Sequence, residues 1–356
     1  MEFVCYTEWD KLPESANVLF AQAEEDSIFF SRPWFENLVK NALEDDQSML
    51  LACVVERDHV LAILPLMTRT SGHLHALGNL YTSLYTLLVA EHGQQDILTC
   101  LAQGLTRLPD CSLRLAPLAE DDSKWRRLQQ AMESSGCSCF VSFRFFNWFH
   151  RSRGQSFKDY MAARPSKVRN TIARRQRKLA REHSYTIRLY TRGDLQQAMA
   201  DYNAAYKASW KARELFGGFV EGLAERLSGH GWLRLAVLYI EETPAAAQLW
   251  FVAHRKASIF KLAYDEAWKR YSPGSILTRH LMEHVIETDH VEEIDFLMGN
   301  DAYKQDWMSE RRERWGLHCA KPHLPKGWTD RFFESVKGWL QQRKRVERNG
   351  WRFLNW

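Results

Sequence analysis

Residues 271–277 read Tyr-Ser-Pro-Gly-Ser-Ile-Leu, a glycine turn between a strand-like run and a predicted helix. The first turn of a helix leaves backbone N–H groups unpaired. Together with the helix dipole they suit a diphosphate. Ser272, Gly274, Ser275 and Ile276 form the candidate cradle. Gly274 would let a ligand approach the backbone, and Pro273 would stiffen the turn. A Ser-Pro-Gly turn is also a common plain helix start, so the local pattern leaves both readings open. Asp265 and Glu266 stand just before this turn, where a carboxylate could take a proton or simply close a strand end. Tyr303 and Lys304 follow a later strand and a Gly299-Asn300 turn. Lys304 could meet a phosphate or an acidic substrate group. It could equally pair with Asp295, since a carboxylate inside an apolar strand needs a partner.

The elements that would position these residues can be read from the hydrophobic pattern. Trp232–Glu241, Ala247–His254 and Ile259–Tyr264 are three strand-like runs parted by turns at Thr243-Pro244 and Arg255-Lys256, which predicts an antiparallel meander. A helix over Ser275–Thr288, a strand over Glu293–Leu297 and a helix from Ala302 follow. Ahead of them, Ile187–Tyr190 reads as a strand and Leu195–Lys211 as a helix. The N-terminal part also reads as mixed α/β. Its predicted elements are a helix over Trp34–Leu43, a hairpin of Met49–Val55 with Val60–Met67, and helices over Ile97–Leu108 and Lys124–Ser134. Strands are predicted over Ser112–Leu115 and Phe140–Phe149.

Between these parts runs a basic stretch, Arg164 to Arg181, with Lys167, Arg169, Arg174, Arg175, Arg177 and Lys178 and no acid. Ser166 is placed to cap a helix over about 166–183. Val168, Ile172 and Leu179 give it a thin apolar stripe. Its charges fit a solvated face, a wall for anionic substrate groups, or contact with RNA phosphates. No aromatic residue interleaves with them, so base stacking is not indicated. Near the end, Trp328, Phe332, Phe333, Val336, Trp339 and Leu340 recur at helical spacing between basic flanks, as a core helix or a membrane-surface helix would.

Composition bounds the rest. At 356 residues, two domains are expected. A formal charge of +4 does not mark a nucleic-acid binder. Seven cysteines without a CxxC pair argue against a disulfide framework or structural zinc and for reduced thiols. The opening MEFVCYTEWDKL has early acids and no basic stretch before an apolar run, so no secretory signal is expected. There is no Walker loop, HExxH, GxSxG or GxGxxG. His280 and His284 share a helix face but have no third ligand at metal spacing, and no metal is expected.

The segments YSPGSIL (271–277) and IDFLMGNDAYKQDW (294–307) resemble the acetyltransferase domain of the FemAB-related, BioF2-like and CelD-like proteins of the GNAT superfamily. FFSRPWFENL (29–38), LHALGNLYTSLY (74–85) and SFKDYMAARPSKVRNTIARRQRKLARE (156–182) agree in the same order, so the resemblance spans about residues 25–320. It implies an α/β (α+β) chain of tandem GNAT-like folds, each a mixed, mostly antiparallel sheet flanked by helices. The implied division is a non-catalytic lobe at 1–150, a basic connecting helix at 151–184, a lobe with the donor site at 185–322, and an amphipathic tail at 323–356.

The implied activity is direct acyl transfer from acetyl-CoA or a longer acyl-CoA to a small or lipid-linked saccharide, an amine, or an envelope-polymer precursor. Asp265 would be the base and Tyr303 the acid for the leaving thiolate. Tyr264, Lys304, Arg169 and Arg174 would contact substrate. FemAB proper uses aminoacyl-tRNA, but this chain lacks the long coiled-coil hairpin of that type, which favours acyl-CoA. A degenerate, non-catalytic lobe is the remaining alternative. The expected location is cytoplasmic, with peripheral contact at the inner face of the membrane as a variant.

Overall fold

The computed structural model describes residues 1–69, 73–109, 112–212 and 214–321. The described chain divides into two compact units, Met1–Phe146 with the residues from Glu313 on, and Asn147–Arg312. The predicted C-terminal helix around Trp328–Leu340 lies outside the described residues.

The first unit contains β1 (Glu2–Tyr6), α1 (Ala16–Asp26), α2 (Arg32–Ala42), β2 (Gln47–Glu56), β3 (His59–Arg69), β4 (Leu74–Ala76), β5 (Leu88–Val89), α3 (Gln94–Arg107), β6 (Ser112–Ala119), α4 (Ser123–Ser134) and the start of β7 (Ser138–Arg151). The second contains the end of β7, then α5 (Phe157–Ala162), α6 (Ser166–Glu182), β8 (Tyr185–Tyr190), α7 (Leu195–Lys207), α8 (Gly217–Gly229), β9 (Leu233–Ile240), β10 (Thr243–Ala253), β11 (Lys256–Tyr264), α9 (Pro273–Glu287), β12 (Glu293–Met298) and α10 (Ala302–Trp307). The last strand, β13 (Glu310–Ala320), passes into the first unit at Glu313.

The two units share one pattern. In the first, β1, β2, β3 and β4 pair antiparallel in turn, β4 then pairs parallel with β6, and β6 pairs antiparallel with β13. In the second, β8, β9, β10 and β11 pair antiparallel, β11 pairs parallel with β12, and β12 pairs antiparallel with β7. Each unit is therefore a mixed, mostly antiparallel sheet flanked by helices.

Tight hairpins set the register. Arg57-Asp58, Glu241-Glu242 and His254-Arg255 all take positive φ, the geometry of two-residue turns that match strand twist. The meander turns thus fall one or two residues before the predicted positions. Pro244 lies inside β10 at a register shift rather than in the turn, because an irregular position tolerates its missing N–H. In α2 the Ser31 hydroxyl accepts the Trp34 N–H at 3.2 Å. Ser166 does not cap α6; it is the first helical residue, and Pro165 before it offers no side-chain cap.

The second unit's core lies between its sheet and α6 and α9. Ile276, Leu277, Leu281 and Val285 of α9 join Ala236, Leu238, Trp250 and Ile259 of the strands. From α6 only Ile172 and Leu179 are buried there, the narrow stripe that the sequence showed. In the first unit Cys139 and Cys319 are joined as a disulfide. This corrects the expectation of reduced thiols for that pair: two residues 180 positions apart carry no sequence signal of their adjacency. Among the described residues, no helix is long and apolar enough to cross a membrane.

Candidate active site

β11 and β12 pair only over Lys256–Ser258 and Glu293–Asp295. Two distortions then part them. In β11 the register against β10 shifts, leaving Phe260 as the extra residue of a bulge. In β12 the register against β7 shifts, and Leu297 takes φ 55°. The Leu297 N–H turns to the Asp295 carboxylate at 2.6 Å instead of a neighbouring strand. Bulges bend strands away from their partners. The product is a wedge, closed by the short parallel ladder and open toward Tyr264 and Gly299.

The turn before α9 stands at that open end. Ser272 caps the helix with φ 55° and ψ 50°, and its side chain makes no cap bond. Its carbonyl accepts the Ser275 and Ile276 N–H groups at 3.1 and 3.2 Å. The Gly274 N–H has no protein acceptor among the described residues. The Ile276 side chain is buried in the core, so that residue offers the site only its backbone. A Cβ on Gly274 would lie 3.2 Å from Tyr264 Cδ1, so the Tyr264 ring fills the space over the glycine.

A residue that sequence reasoning missed holds this turn. Gln248 is buried on β10, and its Nε2 donates to the Gly274 carbonyl at 2.9 Å and to Thr278 Oγ1 at 2.8 Å. Its Oε1 accepts from Trp250 Nε1 at 2.9 Å. A glutamine within an otherwise apolar strand was the available signal, since a buried amide needs partners. Gln248→Leu is expected to lower stability by about 1–3 kcal/mol, the cost of leaving buried polar groups unsatisfied. A denaturation midpoint that falls at unchanged m-value would show it.

The opposite lip carries Tyr303 and Lys304. Lys304 is buried, and its Nζ donates to the Phe296 carbonyl at 3.2 Å and to that of Met298, and it pairs with Asp301 at 3.5 Å. Burial pushes its pKa down, while Asp301 and Asp295 oppose the shift. The expected Lys304–Asp295 contact does not form. Asp295 is held instead by Arg312 at 2.6 Å and Asn147 at 2.5 Å, which approach it from β13 and β7. The Tyr303 ring meets Phe296 edge-on at 5.5 Å and is 41% exposed. Its phenol holds its proton more tightly than usual, through desolvation first and the Asp301 charge second.

Asp265 sits at the end of β11, where its carboxylate accepts the Ala267 N–H at 2.9 Å and caps a short 3-10 turn over Glu266–Tyr271. Tyr264 packs against Trp210 at a tilt, with ring centroids 4.6 Å apart. Arg169 bonds back to the Arg164 carbonyl at 3.1 Å, and Arg174 is exposed. The basic helix reaches the turn through its neighbours instead. Arg175 Nη1 donates to the Arg270 carbonyl at 2.6 Å, and Lys178 lies 5.4 Å from the Tyr271 ring centroid. In a run where nearly every position is basic, composition cannot show which side chain faces inward. No group of three or more His, Cys, Asp or Glu side chains is placed to hold a metal among the described residues.

The fold has counterparts in known proteins. Residues 166–305 match the family described as an acetyltransferase (GNAT) domain. No curated protein matches the chain in sequence. Among solved structures, FemX is similar at a TM-score of 0.57 and 10% identity, with 81% of this chain and 90% of that chain covered. A tandem GNAT protein from the clavulanic acid biosynthesis pathway reaches 0.52 at 12% identity, covering 91% and 99%. The C-terminal domain of an Agrobacterium fabrum protein assigned as a lysylphosphatidylglycerol synthetase reaches 0.54 at 12%, covering 86% and 92%. At such identities the likeness is one of fold, and a fold hosts many chemistries. The chain thus has a tandem GNAT-like fold, and the segment similar to the acetyltransferase (GNAT) domain lies within its second unit.

Proposed function

We propose that the second unit transfers an acyl group from acetyl-CoA or a longer acyl-CoA to the amine or hydroxyl of a small sugar, an amine or an envelope-polymer precursor. The observation that carries this reading is the wedge between β11 and β12 with the Gly274 turn at its open end. An extended amide chain can pair with a strand edge exposed in such a wedge. The turn supplies the unengaged Gly274 N–H and a helix dipole for a diphosphate, with Ser272, Gly274, Ser275 and Ile276 as its frame and Arg175 and Lys178 beside it.

In the transfer, the acceptor lone pair attacks the thioester carbonyl carbon. The C–S bond breaks as the new bond forms, the departing thiolate takes the Tyr303 proton, and the proton shed by the acceptor nitrogen or oxygen passes through water to the Tyr303 oxygen. A protonated amine acceptor must first lose a proton, at a cost of about 4–5 kcal/mol at pH 7. Asp265 or water would receive it, and Asp265 does so only by sharing its carboxylate with the Ala267 cap. Tyr264 and Lys304 line the acceptor side.

The first unit repeats the fold without this equipment. Its corresponding helix, α3, carries Asp96 in the first turn, where α9 has no acid. A carboxylate there repels a diphosphate, which supports a non-catalytic role for that unit.

The exposed face of α6, with Lys167, Arg169, Arg174 and Arg177, favours a second reading in which the donor is an aminoacyl-tRNA. Calorimetric titration with acetyl-CoA and with tRNA separates the two. Saturable acetyl-CoA binding supports the first. Binding of tRNA alone, falling steeply with salt, would replace it with the second. Binding of neither would leave a scaffold.

A further inference from the structure

Three lysines, Lys211, Lys261 and Lys304, lie toward the open end of the wedge and act on one another. Lys261 of β11 pairs with Glu214 at 2.8 Å, and Lys304 of α10 pairs with Asp301 at 3.5 Å. Lys211, between α7 and α8, is acted on by all four of these groups, yet no carboxylate lies within ion-pair distance of it among the described residues. Its ammonium instead lies 5.8 Å from the Tyr206 ring centroid and 5.9 Å from that of Trp210. Among the described residues, each of the two carboxylates that act on Lys211 is already paired with another lysine. A desolvated cation without a counter-ion is costly, and functional sites are where such costs are sustained.

The position of Lys211 is informative. The Trp210 ring packs against Tyr264, and Tyr264 covers Gly274, so one continuous line of side chains runs from the turn before α9 to Lys211. Six large apolar side chains are exposed among the described residues, and two of them, Trp210 and Tyr303, adjoin Lys211 and Lys304 in sequence. Exposed apolar groups gathered beside an unpaired cation fit a ligand with an apolar or ring-shaped body and an acidic group.

We propose that Lys211 binds a carboxylate or phosphate carried by the acceptor, so that the acceptor is an amine or hydroxyl compound that is also an acid. The assignment of this anion to an acceptor rests on the transferase reading; the anion site itself does not. Burial first, then Lys261, pushes the Lys211 pKa down to about 8, with Lys304 adding to the shift and Glu214 and Asp301 opposing it. A bound anion favours the charged form. Its affinity is therefore greatest well below pH 8 and falls as pH rises through about 8.

Competitive labelling with acetic anhydride, read at Lys211 by mass spectrometry, tests the proposal on the intact protein. Inorganic phosphate and succinate are the probes, with acetyl-CoA present or absent. Saturating anion is expected to slow labelling of Lys211 at least tenfold at pH 7 and to leave the exposed Lys40 unchanged. In parallel titrations, Lys211→Gln should bind both anions at least tenfold more weakly, while Lys211→Arg should bind them without the loss above pH 8. Equal labelling with and without both anions would overturn the site. Protection by acetyl-CoA, with none by either anion, would also overturn it, because the charge would then serve the donor. Protection by anions in a protein that fails to bind acetyl-CoA would uphold the site and remove the transferase reading.

Discussion

Gly274→Trp is expected to abolish acyl-CoA binding. Wild-type protein at a ligand concentration of 100 times Kd should gain about 2.7 kcal/mol of stability, provided that only the folded state binds. The variant should gain nothing. The reason is local. The Tyr264 ring already stands 3.2 Å from where a Cβ would be, and the Gly274 N–H is an unengaged donor at the wedge mouth. An indole there would occupy the diphosphate position and displace Tyr264 from Trp210. Gly274→Ala serves as the milder test. Its methyl group requires Tyr264 to move by a few tenths of an ångström, so binding should weaken without vanishing. Thermal melts with acetyl-CoA, longer acyl-CoAs and free CoA measure both variants, and melts without ligand report whether either has lost its fold. Undiminished ligand stabilisation in Gly274→Trp would place the donor elsewhere.

Tyr303→Phe is expected to lower kcat by about 10²–10⁴, the usual contribution of a positioned general acid. The KM for acyl-CoA should barely change, because the substitution removes a proton donor and keeps the ring on Phe296. Stability should also hold, since the side chain is 41% exposed. Steady-state rates across pH check this. A kcat within twofold of wild type would reduce Tyr303 to a packing residue and turn attention to water as the acid.

Much of this fold was legible because burial wrote it into the sequence. The runs Leu233–Ile240 and Ala245–Ala253 are almost wholly buried, so their apolar continuity marks strands directly. The Tyr-Ser-Pro-Gly turn was legible because its backbone needs special residues. Other elements left no such mark. Helix α8 begins and ends in glycine and follows α7 closely, so its periodicity was easily lost. β13 reads Glu-Arg-Arg-Glu-Arg-Trp-Gly-Leu-His-Cys-Ala, with its acids and arginines engaged by distant strands rather than by solvent alone.

The site followed the same division. Gly274 and Tyr303 were proposed from pattern and resemblance, whereas Lys211 carries no such signal. A lysine at the end of a helical run ordinarily reads as solvated surface. Its significance comes from Lys261 and Lys304, which are brought near it only by the sheet. Likewise, the choice of Arg312 over Lys304 as the partner of Asp295 depends on which strands lie beside β12.

The route of β13 has a consequence for how the protein is made. The strands paired in the second unit, β8 through β12 with β7 beside β12, come from a single continuous stretch. The first unit must wait for β13: Ser112 and His318, bonded across that last pairing, are 206 positions apart. At about 5–20 residues per second, translation needs roughly 10–40 s to bridge such a gap. During that interval β6 has an open edge, the kind of surface that invites pairing with another chain. The half synthesised first is therefore the half that closes last, and chaperone protection of the nascent chain should matter most before Ala320 emerges from the ribosome.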